Sequence, residues 1–116
     1  MNKNDFLAAC HRGKTSDAMM RIIEHAISKI NETDNTVFRT NEGKLPAKHY
    51  HKIWKVRLDM LSAKGIVFLG LEELVESFNA LPEDSNLRLL IAESSDGHIT
   101  FWIDDNDAVI GCIFKN

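Results

Sequence analysis

The sequence predicts an α+β fold: N-terminal helices packed on one face of a C-terminal three-stranded antiparallel meander. Three observations predict it. Apolar residues recur at helical spacing up to about residue 81, the period changes to two from Leu87, and Asp96-Gly97 marks a hairpin between alternating runs. With 116 residues, 44% of them apolar and 27% charged, the chain fits one domain of globular composition. The helical part is expected over about residues 4–81 and the meander over about 87–115. No apolar run approaches the ~18 residues of a membrane-spanning helix; residues 66–69 and 89–92 are runs of only four.

Asn4 or Asp5 caps a short helix through about His11, closed by Gly13, where left-handed backbone costs little. Thr15 or Ser16 caps a second helix over about residues 17–31. At ~100° per residue, Met19, Met20, Ile22, Ile23, Ala26, Ile27 and Ile30 share one half of its wheel. Arg21, Glu24, His25, Ser28 and Lys29 take the other half. Methionines at this spacing read as core, the alternative being an adaptable binding groove. Residues 31–44 are polar and read as a loop with an extended piece at 36–40.

Pro46 suits the first turn of a third helix reaching about Ala63 and ended by Gly65. Tyr50, Ile53, Trp54, Leu58 and Leu61 form its apolar stripe, and Lys48, Lys52 and Lys55 gather opposite, flanked by His51. Arg57 projects within the apolar arc, either snorkelling to the edge or pairing with an acid of the C-terminal half. Residues 66–69 are too few to classify by period; residues 71–81 read as a fourth helix stopped by Pro82. There Leu71, Leu74, Val75 and Phe78 face inward, while Glu72, Glu73 and Glu76 face outward near the positive end of the helix dipole.

In the meander, a type I′ turn at Asp96-Gly97 pairs Ala92 with Phe101, Leu90 with Ile103, Ile91 with Trp102 and Glu93 with Thr100. A second turn at Asp105-Asn106 pairs Phe101 with Ile110, Ile99 with Cys112 and Trp102 with Val109. The Phe101 face is apolar and meets the helices. The Trp102 face mixes Ile91, Val109 and Ile113 with Glu93, Thr100 and His98, and is either covered or offered to a partner.

The net charge of −3 conceals an asymmetry. Residues 1–64 carry twelve Lys/Arg against seven Asp/Glu, whereas residues 65–116 carry only Arg88 and Lys115 against ten acids. An acidic half repels phosphate and favours a basic protein surface; the plainer alternative is that the acids only maintain solubility.

No catalytic, metal or cofactor motif emerges. Cys10 and Cys112 are lone thiols suited to a reducing compartment, the alternative being a disulfide closing nearly the whole chain. Leu7-Ala8-Ala9-Cys10 spells a lipoprotein cleavage box, but no apolar segment precedes it, so a helix and a cytoplasmic location are expected. His49 and His51 point roughly 200° apart on a helix and share no ion; His11, His25 and His98 lack zinc spacing. Asp104-Asp105-Asn106-Asp107 lacks the glycine and terminal glutamate of a calcium loop. A winged-helix reading fails because the fourth helix is acidic and the turn at residues 94–97 carries no cation. The chain is therefore expected not to be an enzyme.

In overall layout the sequence resembles the small bacterial immunity proteins that neutralise toxin domains, including those of contact-dependent growth inhibition. The shared features are size, no signal peptide, the acidic C-terminal half and the meander at residues 87–115. The resemblance implies a cytosolic antidote that occludes the active site of a cognate protein toxin, often a basic nuclease. It carries over no diagnostic residue. Charge layout supplies the contact candidates: Glu72, Glu73 and Glu76, or the Asp104, Asp105 and Asp107 turn beside Glu93. Trp102 is the expected aromatic anchor. The other readings are a regulatory or phage-encoded inhibitor of a host protein, and a weak nucleic-acid-binding module using Lys48, Lys52 and Lys55.

Overall fold

A computed structural model describes residues 1–49, 76 and 78–115 of the chain. Two helices, α1 (Lys3–His11) and α2 (Asp17–Ser28), precede four strands. These are β1 (Val37–Pro46), β2 (Asn86–Ser94), β3 (Gly97–Ile103) and β4 (Val109–Lys115), in one antiparallel sheet of order β1-β2-β3-β4. The α+β class holds, and the C-terminal meander gains a fourth strand at its edge. The third helix beyond His49, residues 66–69, Arg57, and Glu72 and Glu73 lie outside the described residues.

Each helix begins where a side chain can accept an otherwise orphaned backbone N–H. For α1 that residue is Asn2, before the expected Asn4 or Asp5, and its side chain accepts from the Asp5 N–H at 2.8 Å. For α2 it is Ser16, accepting from the Met19 N–H at 3.1 Å. Gly13 follows the α1 cap at φ 80°, in the left-handed region expected of it. On α2 the predicted face is inward: Met19, Ile23, Ala26, Ile27 and the adjacent Ile30 are buried, with Met20 and Ile22 partly so.

β1 departs most from expectation. Its polar composition suits an edge strand, where only one row of hydrogen bonds is made and charged side chains discourage further pairing. Phe38 alone between Val37 and Asn41 is buried, opposite Ala92. Pro46 is the last residue of this strand, not the first turn of a helix; residues 47–49 turn helical just after it. Having no N–H to donate, proline is tolerated at such a strand end.

The hairpins keep the predicted faces but slide. Leu90 pairs with Phe101, Ala92 with Ile99, and Ile91 with Thr100, each two residues from the predicted partner on β3. Phe101 pairs with Cys112, again two positions away on β4. A two-residue slide preserves alternation, so every side chain stays on its face. The central turn residues are Ser95-Asp96, and neither has positive φ, so the type I′ turn at Asp96-Gly97 does not form. The Ser94 hydroxyl accepts the Asp96 N–H at 3.2 Å instead. Between β3 and β4 the loop lengthens to residues 104–108, and Ile110 is bulged out of register.

The helices cover the Phe101 face. Phe6 of α1 sits between Phe38 and Phe101, with ring centroids at 5.5 and 5.2 Å, and α2 packs on β4. The opposite face is closed as well. Trp102 is 2% exposed and meets the edge of Phe78 at 6.3 Å, while Ile91, Thr100 and Ile113 beside it are buried. Trp102 is thus an internal ring and not a surface anchor: a large apolar surface gains most by leaving water altogether. No helix among the described residues is long and apolar enough to cross a membrane.

Candidate functional site

Two surfaces of opposite charge meet at one end of the sheet. Glu76 is exposed on the helical residues before Pro82. The Ser85 N–H donates to the Pro82 carbonyl at 3.1 Å, closing a turn that exposes Glu83 and Asp84. The next residue, Asn86, donates its N–H to Asp105 Oδ2 at 3.3 Å. This bond ties the entry of β2 to the β3–β4 loop and sets Glu83, Asp84 and Asp105 along one margin. Among the described residues none of these three makes an ion pair.

Asp104 and Asp107 have local tasks. Asp104 Oδ1 accepts the N–H groups of Asn106 at 2.8 Å and Ala108 at 3.0 Å, shaping the loop. Asp107, in left-handed backbone at φ 59°, pairs with the Arg88 guanidinium. Glu93 does not stand beside this loop. It lies five strand residues from Arg88, about 17 Å away, opposite His98, whose Nδ1 is 3.9 Å from its Oε1. Of the predicted contact residues, Asp104, Asp105 and Asp107 come together, while Glu93 is at the far end and Trp102 inside. Glu83 and Asp84 complete the margin without having been singled out by sequence, although an acidic pair directly after Pro82 was a readable sign.

The cationic side faces the helices. A cleft of about 410 Å³ opens between the end of α1 and the β1–β2 edge, lined by Arg12, Arg88, Thr40 and Asn41 over Ala9, Leu90 and Ile103. β1 bulges immediately after Asn41. Asn41 pairs with Leu89 and Leu45 with Leu87, so residues 42–44 swing out and Arg88 has no partner across the pair. The Asn41 carboxamide accepts the Gly43 N–H at 3.0 Å and holds the bulge. Such bulges re-aim side chains and are over-represented beside functional sites.

Loop packing fixes the cleft's rim. A Cβ on Gly13 would stand 2.4 Å from the Asp107 carbonyl oxygen, so the α1–α2 loop lies directly on the β3–β4 loop. Thr15 bridges them further: its hydroxyl donates to the Cys10 carbonyl at 3.3 Å and accepts the Val109 N–H at 2.8 Å.

Both cysteines are free thiols in the core. Burial pushes Cys10 from the ordinary 9.0 to about 12; burial and then the neighbouring Cys10 do the same for Cys112. Neutral, buried thiols make poor nucleophiles. In the native protein they are expected to react with a disulfide reagent such as DTNB only at the rate of unfolding. Linkage sets a second expectation. Above pH 9 the unfolded chain releases protons that the folded chain retains, so stability falls as pH climbs from about 9 towards 12. The slope is about 1 kcal/mol per thiol per pH unit. Urea titrations at several pH values should show a shallower slope in the Cys10→Ala/Cys112→Ala variant; equal slopes would mean the thiols are not buried in solution.

The chain matches no protein family, no curated protein and no solved structure.

Proposed function

We propose that this chain is a protein-binding antidote that neutralises a basic toxin domain, a nuclease by the charge argument, by covering its active site. What supports the reading is the margin of Glu83, Asp84 and Asp105, whose carboxylates are not spent on cations among the described residues. A nuclease presents cationic groups to phosphate, and an acidic margin competes for that field. Asp104, in the same loop as Asp105, adds a further carboxylate of the same sign. The interface is expected to bury roughly 1,200–2,000 Å².

The test is inhibition by the purified chain. A basic nuclease captured from the native organism should lose activity at one-to-one stoichiometry, and association should slow as salt rises to about 0.5 M, where screening is strong. The E83K/D84K/D105K variant should associate at least about tenfold more slowly at low salt. A salt-independent rate, or an unaffected variant, would remove the acidic margin from the mechanism. Tight binding to nucleic acid in a low-salt filter assay would favour the nucleic-acid module.

A further inference from the structure

We propose that the cleft beneath the β1 bulge is a binding site for a small organic anion, a carboxylate or phosphate carried on an apolar body. Arg88 carries the inference. It is the sole arginine in the acidic half of the chain, it stands in mid-strand on the face that the helices cover, and its side chain is only 34% exposed. Arg88 lines the cleft while keeping part of its side chain in contact with solvent, so donors that Asp107 does not use can meet an incoming ligand. Asp107 engages one terminal nitrogen, leaving most of a five-donor fork without an acceptor among the described residues.

The surroundings supply what such a fork selects. Arg12 brings a second guanidinium from the end of α1, and Thr40 and Asn41 line the same cleft with a hydroxyl and a carboxamide. Among the described residues Asp107 is the one carboxylate on the wall, and it is already paired. Leu90 and Ile103 are buried beneath and give an apolar floor. Its volume, about 410 Å³, lies within the range of small-molecule sites. Two guanidiniums above an apolar floor recognise a planar or tetrahedral anion with a hydrophobic substituent.

The geometry is also held in advance. Asp107 keeps its carboxylate on Arg88 through a left-handed backbone that L-residues adopt reluctantly, and the packed Gly13 loop holds it there. This site stands on the opposite charge from the acidic margin and does not depend on the antidote reading.

The experiment is ¹⁵N–¹H NMR titration of the full chain with benzoate, phenyl phosphate, inorganic phosphate and uncharged benzamide. Benzoate or phenyl phosphate should shift the amides of Thr40, Asn41, Arg88 and Asp107, and whichever binds tighter identifies the preferred anionic group. Benzamide and inorganic phosphate should each bind at least about tenfold more weakly than that ligand, since one lacks the charge and the other the apolar body. Arg12→Gln, at an exposed position, and Arg88→Gln should each weaken binding about tenfold or more. If Arg88→Gln does not fold, Arg12→Gln decides. No shift with either organic anion, equal binding of benzamide or inorganic phosphate, or unchanged affinity in the variants would overturn the proposal.

Discussion

Replacing Phe6 by alanine is expected to cost about 3–5 kcal/mol of folding stability. The ring is fully buried and lies tilted against Phe38 on β1 and Phe101 on β3, at 5.5 and 5.2 Å between centroids. Truncation therefore removes apolar burial and leaves a cavity between α1 and the sheet, which the four strands cannot close without losing their own pairing. Against a total stability of roughly 5–15 kcal/mol, such a loss is a large fraction. Equilibrium unfolding in urea should show the midpoint falling by about 2 M, with an unchanged slope. A midpoint within experimental error of the parent would mean that α1 does not dock on this sheet.

Gly13→Ala should be nearly as damaging, at roughly 3 kcal/mol, for two separable reasons. A side chain at φ 80° meets the left-handed penalty of about 1–2 kcal/mol. Its Cβ would also fall 2.4 Å from the Asp107 oxygen and 2.5 Å from the Asn106 oxygen, both backbone atoms with little room to yield. Overpacking of this kind adds about 1–3 kcal/mol. Asparagine tolerates left-handed backbone, so Gly13→Asn separates the two effects. The contact is expected to dominate, leaving Gly13→Asn within about 1 kcal/mol of Gly13→Ala in thermal or urea unfolding. Full recovery by asparagine would show that the two loops are further apart than described.

Periodicity exposed the helices and strand faces because burial on one side imposes it. The face of α2 could be read from Met19 through Ile30, and the two meander faces from alternation alone. Register could not. Sliding β2 against β3 by two residues leaves every apolar side chain on the same face, so hydrophobic pattern is indifferent to it. The choice fell to Ser94, whose hydroxyl stabilises a turn at Ser95-Asp96 in place of the glycine turn. β1 was legible only as an extended piece at residues 36–40, for a related reason: an edge strand with one buried side chain among Val37–Asn41 carries almost no alternation to read.

The acidic margin was half legible. Composition placed ten acids in the second half of the chain, and Asp104, Asp105 and Asp107 do meet at one end. That Glu83 and Asp84 join them depends on the Asn86–Asp105 bond, between residues nineteen positions apart. That Glu93 does not join them follows from where a strand ends.

By itself, then, the sequence determined the α+β class, the stop of the first helix at Gly13, an α2 cap at Thr15 or Ser16, the inward faces of α2 and of the Phe101 side of the meander, and the sign of the charge on each half. Those properties are local, being set by spacing, capping chemistry and composition. Only the tertiary structure decided which carboxylates stand together, that Trp102 is enclosed, and that Arg88 looks into a cleft beside Arg12. These depend on register, on a bulge and on contact between two distant loops, and near-neighbour chemistry is the same in the alternatives it had to choose among.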